Sequence, residues 1–143
     1  MSKYYTPSVE EFRIGFEYER LIIDSWKSFT MTDIPLFIDL NAKTLKELLQ
    51  QEWIRVKYLD QSDIEELGFV FKLESDKDYM SEYSKIIDEY SSNIIRLYNH
   101  CHWYNLEIYR LFSYDITNYT NIFKGIIKNK SELKVVLKQL GIE

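Results

Sequence analysis

The chain has 143 residues, the size of one ordinary domain, which would bury roughly 70% of its unfolded surface. Its 45% hydrophobic and 29% charged residues exclude wholesale disorder, and four Gly with two Pro leave no material for long flexible linkers. A single cysteine, Cys101, excludes an internal disulfide framework, and the net charge of −5 argues against nonspecific binding to phosphate backbones.

No stretch approaches the roughly 18 continuous apolar residues of a membrane span. The opening Met1–Pro7 lacks the apolar run of a signal peptide, so a cytoplasmic location is expected. Aromatic residues make up 16% of the chain, and aromatic side chains favour a pleated, half-buried surface. Ten acids fall within residues 60–90 against three lysines, which makes this stretch a candidate surface for a basic partner.

In chain order, Ile14–Ile23 reads as a first strand, with Phe16 and Tyr18 on one face and Glu17 and Glu19 on the other. A turn at Asp24–Ser25 leads to a second strand from Trp26 to Met31, and Pro35 breaks the pattern. A helix is predicted over 42–52, capped by Asn41 or Thr44, with Leu45, Leu48 and Leu49 on one stripe. Ile54, Val56 and Tyr58 alternate in a strand. Residues 61–67 then form a short helix with acids at its start and Gly68 at its end.

Phe69, Phe71 and Leu73 alternate in the next strand, and Asp76–Asp78 reads as a loop. Residues 80–99 fit a helix, with Tyr83, Ile86, Ile87 and Tyr90 at helical spacing, or two strands joined at Ser91–Asn93. A hairpin of Ile94–Tyr98 and Trp103–Tyr109, turning at Asn99–His102, favours strands. A further strand covers Tyr119–Ile127. The last helix, over 130–140, has Asn129 as cap, Glu132 in capping-box position, and Leu133, Val136, Leu137 and Leu140 as its apolar stripe. Gly141 closes it.

Candidate chemistry is sparse. His100, Cys101 and His102 are metal-ligand types, but no second His or Cys pair exists to complete a zinc shell. Neighbouring residues of a strand point to opposite faces, which keeps Cys101 from its histidines as a nucleophile. Glu17 and Glu19 share a strand face as any exposed pair would. Phosphate-cradling glycine loops and a nucleophile elbow are missing. Tyr98, Trp103, Tyr104 and Tyr109, with Lys124, Lys128, Lys130, Lys134 and Lys138, give a partial case for single-stranded nucleic acid, which the acidic balance opposes.

Three segments resemble a set of small proteins from bacteriophages and mobile elements of gut bacteria. They are YYTPSVEEFRIGFEYE at 4–19, IRVKYLD at 54–60 with DIEELGF at 63–69, and IFKGIIKNKSEL at 122–133 continuing through KQLGI at 138–142. The resemblance implies a phage-encoded accessory protein, a class rich in small binders that block or sequester host factors. It brings no catalytic residues with it.

The combined expectation is a single α+β domain over 1–143. One antiparallel sheet of about six to eight strands would be packed by the Leu45 and Leu133 helices. It would bind a host protein, a component of defence, without enzymatic activity, cofactor or metal. The contact residues would be Asp63, Glu65 and Glu66 with Tyr98, His100, His102, Trp103 and Tyr104. The alternatives are a protein that sequesters a small nucleotide signal in an aromatic pocket, a virion component, and the single-stranded nucleic-acid module. Membrane contact is not expected, and oligomeric state is left open.

Overall fold

The computed structural model describes residues 2–32, 45–75, 79–100, 103–112 and 119–142, with the backbone alone at 99, 100, 103, 104 and 119. It is a mixed α+β structure with two antiparallel sheets, of four and five strands. The chain divides into two compact units, Met1–Tyr58 and Leu59–Glu143, with one sheet in each. The single sheet of six to eight strands is thereby corrected. Alternation reports that a segment is half-buried, but not which strand it pairs with.

The first unit holds β1 (Tyr4–Tyr5), β2 (Glu17–Ile22), β3 (Ser25–Thr30), α1 (Leu45–Gln50) and β4 (Ile54–Lys57), with sheet order β1-β4-β2-β3. Phe16, Leu48, Ile54 and Val56 are the buried large hydrophobic residues among those described in this unit. Aromatic rings supply much of the remaining packing. Phe12 stands edge-on to Phe16 and Tyr18, at 5.0 and 5.4 Å between centroids, and Tyr18 stacks on Phe29 at 5.7 Å. The Arg55 guanidinium lies over both Tyr4 and Trp26, 3.8 and 4.0 Å from their ring centroids, and its Nε donates to Glu19 at 2.6 Å. That bond occupies Glu19, one of the two carboxylates on the first strand's acidic face.

The expected first strand is shortened at its start because the chain turns at Ile14–Gly15. The β2–β3 turn falls on Ile23–Asp24, one residue earlier than expected, and holds Ile23 at φ 57°. The beginning of the Leu45 helix, with the caps Asn41 and Thr44, lies outside the described residues.

The second unit runs α2 (Gln61–Glu66), β5 (Val70–Ser75), β6 (Met80–Asp88), β7 (Ser91–His100), β8 (Trp103–Phe112), β9 (Tyr119–Ile126) and α3 (Lys130–Gln139). Its sheet is a meander in which every strand pairs with its neighbour in sequence. One face carries Tyr83, Ile95, Leu97, Leu106 and Ile108, which pack with Ile64 of α2, Leu133 and Leu137 of α3, and Leu59, Phe69, Ile127 and Ile142. The Leu133 stripe therefore covers this sheet, while Leu45 belongs to the other unit. The helical alternative for residues 80–99 is excluded, and the turn between β6 and β7 falls at Glu89–Tyr90 rather than Ser91–Asn93.

Of Phe69, Phe71 and Leu73, only Phe69 is buried. It precedes β5. Phe71 and Leu73 lie on an edge strand whose register shifts between them, so the alternation expected there does not become an inside and an outside.

All three helices end with the same pair of backbone bonds, one to the carbonyl five residues back and one to the carbonyl three back. In α3 the Ile142 N–H donates to Leu137 O at 2.9 Å and Gly141 N–H to Lys138 O at 3.1 Å. In α2, Phe69 and Gly68 make the equivalent bonds to Ile64 and Glu65, and in α1, Trp53 and Glu52 make them to Leu48 and Leu49. The residue at the bend must be left-handed: Gly141 has φ 68° and Gly68 φ 86°, but Glu52 takes φ 54° as a residue with a Cβ. At the other end of α3, the Asn129 side chain accepts from Glu132 N–H at 2.9 Å. The Glu132 carboxylate accepts from Lys128 N–H at 2.7 Å, one residue earlier than in a standard capping box.

Candidate binding surfaces of the five-stranded sheet

The face of the second sheet opposite its helices is polar along one line. Register places Glu82 of β6 opposite Arg96 of β7, Arg96 opposite Glu107 of β8, and Glu107 opposite Lys124 of β9. Signs alternate across four strands, the favourable arrangement for directly opposed charges. Arg96 Nε donates to Glu82 at 2.8 Å, and Lys124 Nζ lies 2.8 Å from Glu107.

Glu107 is the centre of this line, 7% exposed. Besides Lys124 it accepts from the hydroxyls of Tyr98, at 3.0 Å, and Tyr109, at 2.5 Å. Burial works to raise its pKa, but the hydrogen bonds from Lys124, Tyr109 and Tyr98 prevail and hold it below the ordinary carboxylate value. The tyrosines move the other way. Burial, then the hydrogen bond to Glu107 and its charge, push Tyr98 up to about 12 and raise Tyr109 as well. Tyr98, a candidate contact residue, is thus committed through its hydroxyl to an internal carboxylate. The stacking role foreseen for Tyr109 is met by the Arg96 guanidinium, 4.9 Å from its ring centroid.

The three acids singled out in the sequence sit together on α2 but do different things. Asp63 is 6% exposed and forms a reciprocal cap: its N–H donates to Asp60 Oδ1, and its own carboxylate accepts from Asp60 N–H, both at 3.1 Å. It is turned inward to hold the start of the helix and offers no contact surface. Glu65 and Glu66 are exposed; Glu65 accepts from Gln61, and Glu66 pairs with Lys130 of α3.

His100, Trp103 and Tyr104 are described by backbone only: His100 pairs with Trp103 and Tyr104 with Asn99 at the end of the β7–β8 hairpin. His102 and Cys101 lie outside the described residues. Among the described residues, no group of three or more His, Cys, Asp or Glu could hold a metal ion. No helix among them is long and apolar enough to cross a membrane.

Beside α2 lies β5, the edge of the sheet. It pairs with β6 on one side and with no strand on the other among the described residues. Val70, Phe71 and Leu73 are exposed on it, Val70 at 60%. An uncovered edge of this kind presents backbone donors and acceptors beside apolar side chains.

The four-charge line was not legible in the sequence, because its members are recognised only once the turns are placed. Moving the β6–β7 turn from Ser91–Asn93 to Glu89–Tyr90 changes every partner along both strands, and Arg96 then meets Glu82. No family model matches this chain, and no curated protein or solved structure matches it either.

Proposed function

We propose that this chain is a binding protein that captures another protein by contact along the open edge of its second sheet. The observation that carries this reading is β5, an edge strand with Val70, Phe71 and Leu73 exposed beside the exposed carboxylates Glu65, Glu66 and Glu74. An extended segment of a partner can add to such an edge through main-chain hydrogen bonds, with alternate side chains giving specificity. The acidic margin selects a segment carrying Lys or Arg. The resemblance of the opening, central and closing segments to phage and mobile-element proteins supports reading the partner as a host factor, a component of defence, met in the host cytoplasm. Capture alone accounts for this role, without catalysis.

The test is partner capture from host lysate by wild type, by Leu73→Lys, and by Lys46→Glu as a charge control in the other unit. The expected result is one partner lost with Leu73→Lys and retained with the control, together with slowed hydrogen exchange at Val70–Ser75 in the complex. Capture indifferent to Leu73→Lys, or protection confined to other strands, would sink the reading.

A further inference from the structure

On the helix-covered face of the second sheet, the last row of side chains extends past the end of α3. Register sets Lys85 of β6 beside Asn93 of β7, and Asn93 beside Arg110 of β8, one row beyond Tyr83, Ile95 and Ile108. Because α3 has ended at Gly141 and Ile142, this row borders a cavity of about 500 Å³, a volume suited to a small molecule. A second cavity of about 250 Å³ shares Lys85 and Ile142 and adds Lys134 and Lys138 of α3.

The two faces of this sheet differ in their charge. On the opposite face each cation stands across from a carboxylate. Here the row is cation, amide, cation, with Lys85 and Arg110 roughly 10 Å apart at the backbone, two strand spacings. Asn93 is 2% exposed, and its Oδ1 accepts from Arg110 Nε at 3.3 Å, which fixes the guanidinium from its Nε side. Asp88 is the one carboxylate among the described lining residues. Its Oδ1 is taken up by Tyr90 N–H at 2.8 Å, in the β6–β7 turn. The rest of the wall is Ser91, the end of α3 at Gly141 and Ile142, and the exposed apolar side chains of Ile86, Ile87 and Phe112.

Lys85 Nζ donates to the Leu67 carbonyl at 3.2 Å, as Arg110 Nε does to Asn93. A cavity lined by two cations held in this way and by an aromatic ring suits a ligand that joins a phosphate to a planar apolar body. We propose that this cavity binds a nucleoside phosphate, with Arg110 and Lys85 taking the phosphate and the base lying against Phe112 and Ile87. Arginine supplies a fork that matches phosphate oxygens, and lysine adds a point charge. Lys134 and Lys138 in the adjoining cavity extend the site toward a second phosphate. This goes beyond protein capture at β5 and does not depend on it. It lies at the opposite end of the β7–β8 hairpin from Tyr98 and Trp103, the aromatics that gave the partial case for single-stranded nucleic acid.

The test is calorimetric titration of the full chain with AMP, ADP, a cyclic dinucleotide, adenosine and inorganic phosphate. At least one nucleotide is expected to bind saturably, with adenosine and inorganic phosphate each weaker by about tenfold or more. Arg110→Gln and Lys85→Gln should each weaken that nucleotide about tenfold, the loss of one charge-assisted contact. Phe112→Ala should weaken it about threefold or more. Since Arg110→Gln also removes the donor to buried Asn93, and Lys85→Gln the donor to the Leu67 carbonyl, the exposed Phe112→Ala keeps the test valid if either variant folds poorly. The proposal is overturned by absence of binding across the panel, by affinity unchanged in Lys85→Gln and Phe112→Ala, or by inorganic phosphate binding as tightly as any nucleotide.

Discussion

The two sheets are antiparallel alike but are held together by different means. In the second, aliphatic side chains from β7 and β8, with Tyr83 of β6, meet two capped helices in one continuous cluster, and each strand pairs with its sequence neighbour. Among the described residues of the first, few aliphatic side chains are fully buried; stacked rings and an arginine between Tyr4 and Trp26 add to them, and β1 pairs with β4 from the far end of the unit's sequence. Aliphatic packing punishes any lost volume, whereas aromatic and cation contacts at half-buried positions each contribute less. On these contacts the second sheet is expected to lose more from substitution than the first.

The sharpest way to break this contrast is to cut the second core. Leu133→Ala removes a fully buried side chain from α3 and should cost between about 2 and 5 kcal/mol, read by urea titration. In the first sheet, Arg55→Met keeps an apolar stem but loses the guanidinium over both rings and the Glu19 pair. The expected cost is about 1–2 kcal/mol, with hydrogen exchange accelerated in β2 and β4. A loss as large as that of Leu133→Ala would mean the first sheet depends on this one cluster.

The helix ends give a smaller effect with opposite signs. Glu52→Gly relieves a left-handed residue at the end of α1 and should stabilise by about 1 kcal/mol, whereas Gly141→Ala should cost about 1 kcal/mol, both by thermal unfolding.

The smallest expected effect is a pH dependence of the second sheet. Tyr98, at about 12, and Tyr109 both have pKa values raised by folding, so their contribution is complete below the unfolded value near 10 and is lost as pH climbs toward 12. Tyr98 should be among the last tyrosines to ionise in a spectroscopic titration. Tyr98→Phe should be less stable at neutral pH yet lose less between pH ~10 and ~12. An unchanged alkaline profile would show that the Glu107 hydrogen bonds contribute nothing.

Local signals proved the most legible in the sequence. The stops at Gly68 and Gly141 and the cap at Asn129 were read correctly because each rests on residues within one helical turn. Strand existence was also readable from alternation. Pairing was not, because a two-residue difference in a turn re-aligns two whole strands, and nothing in a single sequence assigns a strand to one sheet or another. The same limit hid the functional geometry: Asp63 looked like a surface acid by composition, but its cap to Asp60 turns it inward. Lys85, Asn93 and Arg110 share no motif, and only register makes them neighbours.

Ten consecutive residue pairs join β7 to β8 with no shift in register, whereas the pairings of β5, β6 and β9 each contain one. Closing a short loop costs little chain entropy, while Tyr4 must find Lys57 across nearly the whole of its unit. The β7–β8 hairpin is then the natural nucleus from which the rest of its sheet zips outward. Protection in a pulse-labelling refolding experiment should reach Ile94–Tyr98 and Leu106–Arg110 before it reaches Tyr4 and Tyr5.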